Sequence, residues 1–556
     1  MDSELLFDIA DQVARTAERF PDRIAVIEPD KVDKSGKRTY KKYTYSTLAS
    51  DSLQVARGLM AMGIGKGTRI VAMTPPSYES CVITLALHKV GALIMMIDPS
   101  VGYKNVSERL GKIEPEAFVG IPIAHLARVV FGWGPRFPKK SIVVNGKFPA
   151  AKSIEQIRKM AREQSEFPEL SPNDEAIVLY TTGSTGPAKP SLYLHKNYAQ
   201  LYKRVAQSWR FSEDSESPVD LAIFPAFFLI ALSGGGTVVV PPIKFPESPA
   251  KTDPKALLDV INDCGVKTCF ASPVILENMA SYAVENGIKT KSLRRIIGGG
   301  APIYERVSRR LLEMMDGRGE VFANYGATEA MPSTEMSAKE AIESCFSLTA
   351  QGRGLCVGRA LDGVELRIIA IENSANSEFI KDMPVGEIGE ILVRSMHISP
   401  AYYKDPLNTQ KNKIEDEGGR WHRLGDAGYI DTEGRLWTCG RVSQRVRTRE
   451  GFLFPLMVEP VFDADPAVKR SGLVGVEIDG YELPVICVEL SQKYSAEECE
   501  QIREKLQQRA ENFEASRPVK HILFIEKLPV DPRHNSKIER PKLKKWATEK
   551  IKKRDK

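Results

Sequence analysis

A polar loop in the first half of the chain carries the residue types that could hold an anion. Residues 180–190 read YTTGSTGPAKP and follow the apolar run AIVL at 176–179. Glycine lets backbone N–H groups approach a phosphate with no Cβ atom in the way, and hydroxyl and ammonium groups add further donors. Such a loop suits the β- and γ-phosphates of a nucleotide. The candidate phosphate-binding residues are Thr181, Thr182, Gly183, Ser184, Thr185, Gly186 and Lys189.

The same composition is also typical of a solvated turn, because glycine, serine, threonine and proline are the common residues of loops. A P-loop is excluded, since it needs G-x-x-x-x-G-K-[ST] and here Lys189 stands between Ala188 and Pro190. Taken alone, the loop leaves both phosphate binding and a plain turn open.

The elements around this loop predict an α/β fold with mainly parallel sheets. Residues 68–73 and 92–97 have the apolar pattern of strands, and residues 78–90 between them have that of a helix. The same alternation recurs at 222–224, 257–263, 268–270, 274–285, 295–297 and 321–324. Helices between short apolar strands are typical of parallel sheets covered by helices.

The pattern changes twice towards the carboxyl terminus. Past residue 385 the strands are joined by glycine turns, and a hairpin turn is predicted at 432–434. After residue 442 comes a smaller unit with a charged helix at 496–512 and a last strand at 521–525. We therefore predict a large domain at 1–442, β-rich from about 352, and a small α+β domain at 443–556.

Composition indicates a globular protein without a targeting segment. The 556 residues are 42% hydrophobic and 27% charged, and the formal net charge of +6 is small. Neither nucleic-acid binding nor a bilayer-spanning segment is expected, and the basic end at 542–556 is interpreted as a solvated helix end. The eight cysteines have no CxxC spacing, and the acidic amino terminus is unlike a signal peptide. A cytoplasmic location is expected.

Six short motifs occur in the order found in the adenylate-forming superfamily of acyl-CoA synthetases, aryl-CoA ligases and luciferases, which the sequence resembles. After the loop come GGAP at 299–302, NYGATE at 324–329, the aspartate of LGD at 426, GR at 440–441 and a proline-led segment at 532–540. In the last segment Lys537 and Arg540 match the family, whereas Ser536 replaces a glycine. Thr182, Ala188 and Pro190 are departures in the loop.

The resemblance implies that ATP and Mg²⁺ are used to join a carboxylate to AMP. It makes Lys537, on a mobile small domain, a catalytic residue together with Thr328 and Glu329, and it makes Glu329 the Mg²⁺ ligand. Tyr325 would face adenine, and Asp426 and Arg441 would hold the ribose. The remaining nucleotide-binding positions implied are Gly299, Gly300, Ala301, Pro302, Asn324 and Gly326.

The acceptor of the acyl group decides the product. Phe228 stands where the family usually has histidine, Gln444 replaces an aspartate after the hinge position Ser443, and Gly451 is displaced by one residue. These departures weigh against transfer to CoA. The expected acyl pocket is built from an apolar segment that could equally pack in the core, and its candidate residues are Phe224, Phe227, Phe228 and Leu229.

Several stretches, among them IDPSVGYKN, NYGATEAMP and VDPRHNSKIERPKL, are similar to the β-lactone synthetases of long-chain olefin biosynthesis. This branch implies that the β-hydroxyl of a long-chain 2-alkyl-3-hydroxy acid attacks its own activated carboxyl, without CoA. A long-chain fatty acyl-CoA synthetase and an inactive binding protein are the alternatives. A peripheral membrane association through a complex with other enzymes of the same pathway is also open.

Overall fold

The computed structural model describes residues 7–97, 106–107, 110, 113–133, 140–180, 188–211, 217–224, 227–243, 251–371, 381–530 and 537–554. These residues form two large sheets covered by helices and a separate small sheet near the carboxyl terminus. Apolar side chains fill the spaces between sheets and helices, and the small sheet has its own core around Phe462 and Ile486.

The larger sheet has a part with parallel strands and a part with antiparallel strands. Its strands in the described ranges are β1 Ile24–Val32, β2 Arg38–Thr44, β10 Val219–Ala222, β11 Thr237–Val239, β12 Thr268–Ala271, β13 Arg295–Gly299, β14 Glu320–Ala327, β15 Ala330–Ser337, β16 Leu355–Ala360, β17 Glu365–Ile369, β18 Gly389–Arg394, β20 Lys413–Asp416, β21 Gly419–Ile430 and β22 Leu436–Arg441. Strands β1, β11, β10, β12, β13 and β14 run parallel. From β14 through β15, β16, β22, β21 and β18 to β17, neighbours are antiparallel.

The second large sheet carries the loop at residues 180–190. Its strands, within the described part of the chain, are β3 Arg69–Met73, β4 Leu93–Met96, β5 Ala117–Gly120, β6 Lys140–Val143, β7 Lys152–Ser153, β8 Glu175–Tyr180, β9 Pro190–Leu194 and β19 Ala401–Tyr402. The order is β19-β9-β8-β4-β3-β5-β6-β7, and only the pairs that involve β9 are antiparallel. Runs such as Ile70–Val71 and Leu93–Met95 are buried because helices cover this sheet.

The carboxyl-terminal part has a short ribbon and a three-stranded sheet. These strands are β23 Val446–Arg447, β24 Phe452–Leu453, β25 Val468–Ile478, β26 Tyr481–Leu490 and β27 His521–Ile525. Strands β25 and β26 form an antiparallel hairpin, and β27 lies parallel to β26. A 3₁₀ turn, Val442–Gln444, connects this part to β22.

The helices that the described ranges contain cover the sheets and close the connections. They are α1 Ile9–Arg19, α2 Tyr45–Ala61, α3 Tyr78–Lys89, α4 Pro122–Phe131, α5 Ile154–Arg158, α6 His195–Ser208, α7 Phe228–Ser233, α8 Pro254–Cys264, α9 Pro273–Glu285, α10 Glu305–Met314, α11 Ala338–Glu340, α12 Phe346–Thr349, α13 Pro406–Asn412, α14 Pro455–Asp463, α15 Ala496–Glu511 and α16 Arg540–Arg554, with a π-helical turn at Ala341–Cys345. None of them is both long enough and apolar enough to cross a bilayer.

The predicted α/β fold class is confirmed, and most predicted elements lie within a few residues of their expected positions. One strand was misplaced: residues 222–224 were predicted to be extended, whereas β10 is Val219–Ala222. The reason is Asp220, a polar residue that sits fully buried inside the strand and breaks the apolar pattern. Burial raises the pKa of Asp220 to about 8, so this side chain is protonated near neutral pH.

Candidate active site

The hairpin of β21 and β22 brings two predicted nucleotide-binding residues together. Asp426 and Arg441 are partners in the antiparallel register, so their side chains stand side by side. The Arg441 Nε lies 3.2 Å from Asp426 Oδ1, and the Tyr325 hydroxyl donates to Asp426 Oδ2 at 2.7 Å. Three residues from three distant motifs therefore form one contiguous polar cluster.

The electrostatics of this cluster come from burial opposed by positive charge. Burial raises the pKa of the Asp426 carboxyl, whereas Arg441, the Tyr325 hydroxyl and Lys537 lower it. Asp426 in turn raises the pKa of Arg441. A carboxylate that accepts hydrogen bonds from two sides and stays close to a guanidinium is suited to the two hydroxyls of a ribose.

The adenine side is built at the ends of β13 and β14. Gly300 has a φ of +87°, a left-handed conformation that favours glycine, and a Cβ atom on Gly299 would lie 3.1 Å from the ring of Phe270. Asn324 donates from Nδ2 to Ser208 Oγ at 3.1 Å, while its buried Oδ1 has no hydrogen-bond partner among the described residues. Ala301 and Pro302 are half-buried. At Gly299 and Gly300 this edge therefore presents backbone without Cβ atoms, which a planar base can approach.

Glu329 is held at the end of the β14–β15 hairpin by two tyrosines. Its carboxylate is 6% exposed, and its Oε1 accepts a hydrogen bond from the Tyr402 hydroxyl at 2.6 Å. Tyr193 donates to the backbone oxygen of Thr328 at 2.7 Å. One oxygen of Glu329 is thus fixed, which leaves the other as a hard oxygen donor of the kind that Mg²⁺ takes from proteins, usually with phosphate oxygens completing its shell. The residues fit the predicted magnesium ligand.

Two lysines lie close to Glu329. Lys189 is half-buried, its Nζ lies 3.4 Å from Asn412 Oδ1, and it stands 5.3 Å from the centre of the Tyr402 ring. Lys413 is buried and donates to the backbone oxygen of Ser399. Burial lowers the pKa of Lys413 to about 7 and also lowers that of Lys189, although the Glu329 carboxylate opposes both changes. This side of the site is electropositive and suits phosphate.

The candidate residues Thr181, Thr182, Gly183, Ser184, Thr185 and Gly186 lie outside the described residues, and so do parts of two stretches similar to the lactone-forming branch. The ends of the loop are described. Tyr180 and Pro190 are paired in the antiparallel register of β8 and β9, so the loop closes a hairpin. Lys189 at its exit lies beside the Glu329 group. The assignment of the loop hydroxyls stays a prediction.

Lys537 reaches the site from the carboxyl-terminal part. Its charge lowers the pKa of Asp426, which shows that the ammonium lies close to the ribose-binding cluster. Three residues later Arg540 is anchored: it donates to both oxygens of Glu459, to the backbone oxygen of Leu473, and to Gln444 Oε1 at 3.1 Å. Gln444, the residue that departs from the family, follows the predicted hinge Ser443 in the 3₁₀ turn.

The apolar segment proposed for acyl binding divides into two groups. Phe228 and Leu229, at the start of α7, are 2% and 1% exposed and belong to the core. Phe224 and Phe227 are half-buried and join Phe270, whose ring centre lies 4.9 Å from that of Phe227. Burial favours core packing for the first pair. The second pair faces the aromatic cluster beside Gly299, so an acyl role for it stays a prediction.

His195 lies apart from this site. It is buried with Asp8 and His88, and burial lowers the pKa of His88 to about 3 and that of His195 to about 4. This placement makes His195 part of a buried cluster separate from the candidate site. Sequence reasoning missed Tyr193, Tyr402, Asn412 and Lys413, because no motif spacing connects residue 402 with Glu329, 73 positions earlier.

The fold and the site define an adenylate-forming enzyme. A family model described as AMP-binding enzyme matches residues 13–403, and the chain belongs to that family. The predicted membership in the adenylate-forming superfamily, and the prediction of an enzyme, are confirmed.

Two curated relatives are similar to nearly the whole chain. A protein named olefin beta-lactone synthetase from Stenotrophomonas maltophilia is 33% identical over 557 residues, which cover 98% of this chain and 99% of the relative. One of the same name from Xanthomonas campestris pv. campestris is 32% identical over 554 residues, 98% of each chain. Among solved structures, the amide bond synthetase from Marinactinospora thermotolerans has a TM-score of 0.76 at 19% identity, covering 97% of this chain and 99% of that one. This last similarity concerns the fold alone.

Proposed function

We propose that the protein activates a long-chain 2-alkyl-3-hydroxy acid with ATP and converts it to a β-lactone, without CoA. The observation that carries this proposal is the similarity, over 98% of the chain, to the two proteins named olefin beta-lactone synthetase. The buried polar site supports the first half of the reaction, because it offers a ribose-binding cluster and an electropositive phosphate side. The identity of the acid and the formation of a lactone are the more specific parts of the proposal.

In the first step a carboxylate oxygen of the acid bonds to the α-phosphorus of ATP, and pyrophosphate leaves. Asp426 and Arg441 hold the ribose, Tyr325 faces adenine while its hydroxyl donates to Asp426, and Lys189 with the loop at 181–187 holds the departing phosphates. Glu329 would hold Mg²⁺, and the bound ion would neutralise part of the phosphate charge. Lys537 stabilises the negative charge that develops between the carboxylate and the α-phosphate.

In the second step the β-hydroxyl oxygen bonds to the activated carbonyl carbon, the hydroxyl proton is released, and the bond between that carbon and AMP breaks. The nucleophile is part of the same molecule, so the enzyme needs to orient it rather than to bind a further substrate. Binding sites for CoA are therefore not required. The departures at Phe228, Gln444 and Gly451 agree with a pathway in which no thiol enters.

A conformational change separates the two steps. We assign it to rotation of the carboxyl-terminal domain, residues 443–556, about Ser443 relative to residues 1–442. The 3₁₀ turn Val442–Gln444 between β22 and β23 is a short connection suited to such a rotation. Rotation would withdraw Lys537 from Asp426 after adenylation. Association with other enzymes of the same pathway stays a prediction.

The test is a comparison of two acids of equal length, one with and one without the 3-hydroxyl group, each incubated with the protein, ATP and Mg²⁺ in the presence and absence of CoA. We expect the hydroxy acid to release AMP and pyrophosphate in repeated turnovers without CoA, whereas the unsubstituted acid should stop at bound acyl-adenylate. Turnover of either acid only when CoA is added would make the protein a fatty acyl-CoA synthetase. No consumption of ATP with any acid would favour a binding protein.

A further inference from the structure

The helix α4 has its polar and apolar faces reversed relative to solvent. Its buried residues are Ala124, His125 and Arg128, which include the only two ionisable side chains of the helix. Its exposed residues are all apolar: Ile123, Leu126, Val129, Val130 and Phe131 are 46, 54, 40, 64 and 46% exposed. A surface helix normally buries its apolar face and exposes its polar one. Here the outward face is the apolar one.

The exposed side chains form one surface. Ile123, Leu126 and Val130 are spaced by three and four residues, which places them along one stripe of the helix, and Val129 and Phe131 flank it. We call these five residues the α4 face. Single exposed apolar residues are ordinary, but a contiguous group on one helix is typical of a site that binds another apolar surface.

The buried polar residues are held by specific contacts, so the reversal is built into the fold. His125 Nε2 lies 2.8 Å from the backbone oxygen of Ile142, and the His125 ring stacks on Phe148 at 5.0 Å. The Arg128 guanidinium lies 5.0 Å from the centre of the Phe118 ring. These contacts lock the rotation of the helix about its axis. The α4 face therefore cannot turn inward without breaking them.

The sequence around α4 is basic and free of acidic residues. Between Glu116 and Glu155 the chain has six Lys and Arg residues and no Asp or Glu, although 72 acidic residues in 556 would place about five in a segment of this length. Lys147 and Lys152 are exposed. Lys147 belongs to the turn that packs against the start of α4, since a Cβ atom on Gly146 would touch Pro122. Positive charge therefore borders the α4 face.

We propose that the α4 face is a docking surface for an anionic phospholipid membrane. Apolar side chains at the headgroup boundary combined with lysines near anionic lipids are the two contributions that bind peripheral helices to membranes. The docking surface itself does not depend on the proposed function. The reason for a location at the membrane does rest on it, because the proposed long-chain substrate would partition into lipid.

The test is flotation of the purified full-length protein with vesicles of phosphatidylglycerol and phosphatidylcholine, and with vesicles of phosphatidylcholine alone. We expect wild type to float with the anionic vesicles and to be released in part by salt, which screens the lysines. The double variant L126E/V130E should lose vesicle binding about tenfold or more. A matched control, V385E/M396E, adds the same charge at positions that are 66 and 73% exposed elsewhere and should bind like wild type.

A second variant distinguishes a loss of vesicle binding from a general folding defect. K147Q/K152Q leaves the apolar residues in place and should weaken binding to the anionic vesicles while leaving thermal unfolding unchanged. Absence of wild-type binding, or equal binding by L126E/V130E, would overturn the proposal. So would a wild-type oligomer that L126E/V130E converts to monomer, which would make the α4 face a contact between copies. Flotation needs neither acid nor ATP, so its failure is distinct from failure of the proposed reaction.

Discussion

Two arginine–carboxylate pairs of this protein have the same chemistry and different surroundings. In the pair Asp426–Arg441 the arginine side chain is 36% exposed, and the carboxylate also accepts from Tyr325. In the pair Glu459–Arg540 the two side chains are 8% and 14% exposed. There Glu459 also accepts from the backbone N–H of Leu473, and the guanidinium is fully engaged.

The comparison separates a binding pair from a structural pair. Arg441 keeps donors and surface available, which is what a ligand requires, whereas every partner of Arg540 is internal. The two pairs are connected through Lys537, which lies near Asp426 and only three residues before Arg540. The structural pair therefore anchors the segment that carries Lys537, the lysine proposed to act at the binding pair.

The largest effect is expected from Arg540→Ala. The change leaves the Glu459 carboxylate buried without its partner, which should lower the free energy of unfolding of the carboxyl-terminal part by about 3–5 kcal/mol. Chemical denaturation followed by Trp546 fluorescence would measure it. Arg540→Lys is the matched control, because it keeps the charge but not the forked geometry and should lose less. Equal stability of wild type and Arg540→Ala would show that the pair is not structural.

The next effect is expected from Lys537→Ala, which removes the charge near Asp426 without touching the structural pair. Adenylation should slow by about 10²–10³-fold, because the lysine acts on charge that develops in the transition state, while ATP affinity should change little. Pyrophosphate exchange and equilibrium ATP binding measure the two quantities. Lys542→Ala, at an exposed lysine of α16, serves as control and should behave like wild type. Unchanged exchange in Lys537→Ala would remove this lysine from the mechanism.

A smaller effect is expected at the binding pair itself. Asp426→Asn keeps the shape of the side chain but loses the charge that Arg441 and a ribose share, so the KM for ATP should rise about 10-fold or more with little loss of stability. Tyr325→Phe removes a single hydrogen bond to Asp426 and should raise KM by only a few fold. If Asp426→Asn instead lowered the free energy of unfolding and left the KM for ATP unchanged, the distinction between the two pairs would be wrong.

The smallest effect concerns pH and a carboxyl group one helical turn after Glu459. Burial, aided by the charge of Glu459, raises the pKa of Asp463 to about 7. A carboxyl whose pKa is higher in the folded state favours folding at low pH, so this contribution is lost as the pH rises from about 4 to about 7. Wild type should lose stability relative to Asp463→Asn over this range. Parallel pH profiles of the two proteins would contradict this assignment.

The fold and much of the nucleotide site could be predicted from the sequence because local patterns determine them. The glycine turn at 432–434 predicts the β21–β22 hairpin, whereas the pairing of Asp426 with Arg441 also depends on a register shift between Ala427 and Gly428. Likewise, the motif at 324–329 predicts Tyr325 and Glu329 within one short stretch. Motif order was sufficient for these residues.

The rest depends on contacts between distant segments, which no local pattern encodes. Tyr402 reaches Glu329 from a strand added to the edge of the other sheet, and Lys413 is buried beside it by the packing of three elements. An apolar run has the same sequence pattern whether it packs in the core or lines a pocket. The burial of Phe228 and Leu229 could therefore not be predicted. The reversed faces of α4 could also not be predicted, because the periodicity of a sequence does not determine which face of a helix is exposed to solvent.

The most direct test of the proposed reaction follows the carboxylate oxygens. A long-chain 2-alkyl-3-hydroxy acid labelled with ¹⁸O at both carboxylate oxygens is incubated with the protein, ATP and Mg²⁺ without CoA. The masses of the products are then measured by mass spectrometry. Attack of the β-hydroxyl on an acyl-adenylate predicts AMP that carries one ¹⁸O atom and a lactone that keeps the other ¹⁸O atom in its carbonyl group. Unlabelled AMP, or a labelled product that forms only when CoA is present, would contradict the proposal.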